Sequence, residues 1–174
     1  MKVLVTGGVR SGKSRHAEAL MGSAERVTYV APGPSVREDS DPDWVARIAA
    51  HQARRPKAWV TLESRDLAAA LGTPGPVLLD CLGTWLAAIL DEQEMWEAPV
   101  DQVLAVVERL LDEGAAILDS RDDVVLVTNE VGLGVVPSHR SGRLFRDLLG
   151  LVNQRLAAAC DEVHLVVAGR VLVL

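Results

Sequence analysis

Two hydrophobic textures alternate along the chain. Short runs dense in valine and leucine recur at residues 2 to 8 (KVLVTGG), 26 to 31 (RVTYVA), 58 to 63 (AWVTLE), 76 to 82 (PVLLDCL), 123 to 130 (DVVLVTNE) and 161 to 169 (DEVHLVVAG). Apolar runs of this kind, bounded by turn residues, suit strands covered on both faces. Between them lie stretches with helical spacing, at 13 to 22, 42 to 55, 64 to 71, 83 to 94, 100 to 119 and 139 to 159. Strand and helix taking turns predict an α/β fold, a mostly parallel sheet flanked by helices on both sides. The C-terminal AGRVLVL is expected to form an edge strand. Residues 32 to 43, PGPSVREDSDPD, break both patterns with proline and acidic residues and read as a long loop of the sort that carries function.

In such a sheet, ligands gather at the carboxyl ends of the strands. That edge collects Gly7 to Ser14, the loop after Ala31, Glu63, Asp80 and residues 129 to 134. Asn129 and Glu130 end a buried strand there, as orienting groups or as caps.

Composition narrows the function classes. A chain of 174 residues, 49% hydrophobic and 24% charged, suits one catalytic domain over 1 to 174 with a single core. A net charge of −6 argues against a nucleic-acid binder, so any basic surface must be local. The opening MKVLVTGG has too short an apolar run for a signal peptide or a membrane span. Cys81 and Cys160 lack metal-ligand spacing and read as reduced, buried thiols, and a cytoplasmic protein is expected.

GGVRSGKS, Gly7 to Ser14, fits G-x-x-x-x-G-K-[ST] between a predicted strand and a predicted helix. The alternative is a glycine-rich turn that binds nothing. As a phosphate loop, its residues Gly7, Gly8, Val9, Arg10, Ser11 and Gly12 cradle phosphates through backbone N–H groups. Lys13 then reaches the β and γ phosphates and Ser14 ligates Mg²⁺. Asp80, ending an apolar strand, stands where a Walker B acid holds the Mg²⁺ shell, or else caps a helix. No N-K-x-D guanine-reading motif is present, which points to a metabolite kinase rather than a regulatory GTPase.

A phosphate loop needs no histidine, yet WVARIAAHQARRP carries His51 among arginines. On a helix, Trp44, Ile48 and His51 share a stripe, and Arg47, Arg54 and Arg55 lie within one turn of the imidazole. One reading is a histidine at the edge of an apolar face. The other is chemical: neutral imidazole attacks phosphorus well and leaves well once protonated, and neighbouring guanidinium groups keep it neutral. His16, His139 and His164 read as structural.

VLVTGGVRSGKSRHAEAL, RIAAHQARRPKAWVTLE, LLDCLGTWL, VVLVTNEVGLGVVP and FRDLLGLVNQRLAAACDEVHLVVAG resemble, in order and spacing, the bifunctional adenosylcobinamide kinase / adenosylcobinamide-phosphate guanylyltransferase family of cobalamin biosynthesis. The resemblance implies a P-loop NTPase of RecA-like type, a homotrimer, and GTP or ATP as substrates with Mg²⁺. It further implies phosphorylation of the corrinoid adenosylcobinamide, then transfer of GMP from GTP through a guanylyl-histidine. The family's nucleophile falls on His51, with Gln52, Ala53, Arg54 and Arg55 following the nucleotide, Glu63 and Asp80 at nucleotide and metal positions, and Pro32, Gly33 and Pro34 lining the site. The chain departs from the family in APGPSVREDSDPDW, where an ATS-type turn and a methionine are usual, and at Gly83, where threonine is frequent. A rival from another class is a nucleotide-driven regulatory oligomer that uses the His51 helix as a contact.

Overall fold

The computed structural model describes residues 1–174 and has the expected α/β architecture. Seven strands form one sheet in the order β3-β2-β4-β5-β1-β6-β7. They are β1 (Lys2–Thr6), β2 (Thr28–Ala31), β3 (Val60–Glu63), β4 (Val77–Asp80), β5 (Val124–Val127), β6 (Glu162–Val167) and β7 (Arg170–Val173). Every pairing is parallel except β6 with β7, a hairpin that closes one edge. The helices are α1 (Lys13–Leu20), α2 (Pro42–Arg54), α3 (Leu67–Leu71), α4 (Leu82–Glu92), α5 (Val100–Asp119) and α6 (Arg140–Ala157). None is long and apolar enough to cross a membrane.

Side chains of a strand alternate between faces, so the sheet carries two cores. Leu4, Val30, Leu79 and Leu126 point into the larger, a cluster of 23 buried residues that α3, α4, α5 and α6 cover. Val3, Val5, Tyr29, Leu78 and Val127 point into the smaller, 11 residues covered by α1. The second face is therefore lightly roofed, and α2 adds nothing to its core, because none of its residues is buried. Its Trp44, Ile48 and His51 stripe, which one of the two sequence readings takes as an apolar face, lines a cavity.

Strand ends fall short of the apolar runs. In PVLLDCL, Asp80 is the last strand residue, Cys81 is the N-cap of α4 and Leu82 begins that helix. Period-two and period-3.6 patterns cannot be told apart within a fully apolar stretch. Cys81 is buried as expected, whereas Cys160 is only half-buried.

Candidate active site

The phosphate loop leaves β1 and runs into α1. Gly12, at φ 99°, is the N-cap of α1, and Arg10 also adopts a left-handed conformation at φ 55°. The first N–H groups of α1 have no partner within the helix and favour an anion at this end. The loop rests on the β6–β7 hairpin: Gly169 N donates to Ser11 O at 2.8 Å, and the carbonyl of Val166 lies under Gly7. From the other side Glu130 N donates to Gly7 O at 3.2 Å. Lys13 is buried and its ammonium donates to Gly8 O at 3.1 Å. Burial holds its pKa below the usual lysine value, against the pull of Cys81 and Asp80.

Facing the loop across a cavity of about 970 Å³ is α2. Val9 to Ser14 line one wall, and Trp44, Arg47, His51 and Arg54 line the other. Arg10, Lys13, Arg15, Arg47 and Arg54 face this space against only Asp41 and Asp43, so an acidic protein carries one local cationic basin. A basin of this sign and size suits a triphosphate. Arg54 is held by Glu18 of α1 through two hydrogen bonds, at 3.0 and 3.2 Å, which tie α2 to the loop's own helix.

Behind α2 lies a second, small cavity of about 80 Å³. Gly33, Pro34, Gln52, Arg55, Glu63 and Asp80 line it, and Trp44, Arg47 and His51 belong to both spaces. Trp44 Nε1 donates to Pro34 O at 2.9 Å, which pins the 32 to 43 loop to α2. Of the residues expected at the site, Pro32 is buried and Ala53 is exposed, and neither lines either cavity. Gly7, buried against β6, and Gly8, exposed, do not line either cavity.

His51 stands where the two spaces meet. Its Nδ1 is 3.4 Å from the hydroxyl of Tyr29 and 3.6 Å from Asp80 Oδ2, and Tyr29 donates to that same oxygen at 3.0 Å. Alternation explains the meeting: Tyr29 pairs with Leu78 on the adjacent strand, both face the smaller core, and Asp80 follows two residues on. Burial lowers the His51 pKa, Asp80 opposes this, and Arg54 and Arg47 push it down further. The guanidinium effect expected from sequence is present, smaller than burial and smaller than the opposing pull of Asp80.

Arg55 differs from the expectation. It does not crowd the imidazole: its guanidinium lies 3.7 Å over the Tyr29 ring, donating from Nε to His51 O and from Nη1 to Thr61 Oγ1. Tyr29 itself is missed by sequence reading. The only signal is that it is the chain's one tyrosine, set in an apolar strand. Glu130 turns back on its own loop, accepting from Gly132 N at 2.8 Å. His16 pairs with His164 at 2.8 Å, and His164 with Glu162 at the same distance, away from both cavities. No group of three His, Cys, Asp or Glu residues is arranged to hold a metal ion. Mg²⁺ does not require one, because it takes one or two protein ligands and fills its shell with water and substrate phosphates.

Residues 3–174 match the model of the cobinamide kinase / cobinamide phosphate guanyltransferase family. The chain belongs to that family. It is 43% identical to the bifunctional adenosylcobalamin biosynthesis protein CobU of Salmonella typhimurium over 185 residues, covering 97% of each chain. Against the protein of the same name from Escherichia coli the identity is 41% over 182 residues, again 97% of each. The CobP relative of Pseudomonas aeruginosa is 37% identical, with 97% of this chain and 94% of that protein covered. Among solved structures, an ATPase from a bacterial type III secretion system aligns with a TM-score of 0.52 at 13% identity, over 94% of this chain and 51% of its own. That likeness concerns the fold alone, and it agrees with the expected α/β architecture.

Proposed function

We propose that the protein catalyses both reactions named in its family's description. In the first, a nucleoside triphosphate, ATP or GTP, phosphorylates the aminopropanol hydroxyl of adenosylcobinamide. In the second, His51 takes GMP from GTP, releases pyrophosphate, and passes the GMP to adenosylcobinamide phosphate to give adenosylcobinamide-GDP. The observation that carries this reading is that Lys13 and His51 line one cationic cavity from opposite walls. A triphosphate seated on the loop would thus present its phosphorus atoms to the imidazole.

Each residue has a defined part. The loop's backbone N–H groups and Lys13 hold the β and γ phosphates. Arg47 and Arg54 offset charge as the α phosphorus is attacked, and a neutral His51, favoured by its lowered pKa, supplies the lone pair. Ser14 and Asp80 are the residues that would hold Mg²⁺, whose charge would further neutralise the phosphates. Positioning and electrostatics account for most of such catalysis. Family resemblance also supports a homotrimer and a corrinoid partner, while the two free thiols support a cytoplasmic protein and the net charge of −6 a protein that binds no nucleic acid.

The test is incubation with α-labelled GTP followed by peptide mapping. Label should reside on the peptide containing His51, and His51→Ala or His51→Asn should abolish it while phosphorylation of cobinamide persists. Label surviving in either variant would refute the assignment.

A further inference from the structure

Asp80 reads from sequence as a metal residue, but its nearest partners on the protein are Tyr29 and His51. Proton donors and acceptors at this junction can be counted. The phenol has one O–H, and it is directed to Asp80 Oδ2 at 3.0 Å. Towards His51 Nδ1, 3.4 Å away, the phenol oxygen therefore presents only lone pairs. The carboxylate 3.6 Å from Nδ1 is likewise an acceptor. Both neighbours of Nδ1 favour a proton on that nitrogen.

From this we infer that Tyr29 is a positioning residue for guanylyl transfer, holding His51 in the Nδ1–H tautomer so that Nε2 carries the lone pair that attacks phosphorus. The inference rests on the reading of His51 as the guanylyl carrier. Tyr29 suits the task because it cannot drift. It is 3% exposed, set in β2 within the smaller core, and covered on its ring face by Arg55. Arg55 in turn donates to the backbone carbonyl of His51, so one guanidinium braces both members of the pair. Free histidine favours the opposite tautomer, with the proton on Nε2, so the pocket must act to reverse that preference.

The bonds balance without a further reagent. The Nε2 lone pair forms an N–P bond to the α phosphorus, and the bond from that phosphorus to the bridging oxygen breaks, its electron pair leaving with pyrophosphate. The Nδ1 proton stays in place, and the cationic ring so formed faces Asp80 Oδ2. In the second half, a phosphate oxygen of cobinamide phosphate attacks the same phosphorus, and the N–P electron pair returns to Nε2.

Tyr29→Phe removes the hydroxyl and keeps the ring. In rapid-quench experiments with α-labelled GTP, the rate constant for adduct formation at saturating GTP should fall about 10- to 100-fold, the range for partners that orient a metal-binding imidazole. The GTP concentration giving half the maximal rate should move less than about threefold, because ground-state binding does not use the tautomer. A merely structural role would shift both together. Nitrogen NMR of histidine-labelled native protein should find His51 protonated at Nδ1 and bare at Nε2, and the variant should move towards a mixture. A variant rate within twofold of native, parallel changes in both constants, or a native His51 protonated at Nε2 would each overturn the inference. The NMR result on native protein decides the matter even if the variant folds poorly. Adduct formation in His51→Asn would instead remove the carrier reading itself, so the two failures are distinguishable.

Discussion

Replacing Gly7 by alanine tests how the phosphate loop is held. A Cβ at Gly7 would lie 2.4 Å from the carbonyl oxygen of Val166 and 2.8 Å from Ser11 Oγ. The hydroxyl can rotate away, but the carbonyl belongs to β6, which is paired with β1 on one side and β7 on the other. An ordinary carbon-to-oxygen approach is about 3.3 Å, so one partner must retreat by roughly 0.9 Å. Because the strand is held on both flanks, the loop is what yields. A displacement near 1 Å in groups that position a reacting phosphate costs about 100-fold in rate. The overpacking itself costs about 1 to 3 kcal/mol, or a melting point lowered by about 3 to 10 °C at this chain length. The assay is steady-state kinase kcat/KM beside differential scanning calorimetry, with Gly8→Ala as the steric control for melting, since a Cβ there meets nothing within 4 Å. Full turnover by Gly7→Ala, or equal melting losses in the two variants, would refute the claim that β6 buttresses the loop.

Other expectations can be checked in parallel. Arg54→Ala removes the two-pronged contact with Glu18, a partly exposed pair worth less than about 1 kcal/mol, so melting should hardly change while amide exchange accelerates along α2 and not along α5. His51 has a lowered pKa, so its neutral form persists below the ordinary histidine value of about 6.5, and adduct formation should keep its plateau there and fall only at more acidic pH. A midpoint at or above the ordinary value would contradict the neutral nucleophile. Burial pushes the Cys160 thiol up to about 12 and raises that of Cys81, so both should react slowly with a thiol reagent at mildly alkaline pH and quickly once the chain is unfolded.

Chemistry that is local along the chain is legible in the sequence; spatial adjacency is not. Gly7 to Ser14 can be read because the motif and its strand-to-helix context are contiguous, and His51 stands out because three arginines surround it within two turns. Tyr29 has no such marker. Its role depends on β2 lying beside β4 with Tyr29 opposite Leu78, a register that arises from the whole sheet. Arg55 escapes sequence reading for a related reason, since helix spacing puts its Cα near His51 but its long side chain follows the strands to Tyr29 and Thr61. The α2 stripe leaves two readings open because an apolar helical face looks the same whether it covers a core or a cavity.

That α2 buries none of its residues bears on how this protein ages under heat. A helix fastened by a few polar clasps at its rim loosens at a lower temperature than the sheet beneath it. Warming should therefore silence guanylylation before the fold gives way, and cooling should restore it. The temperature at which the chain stops working is thus set by its least anchored segment, and the bulk melting point will not reveal it.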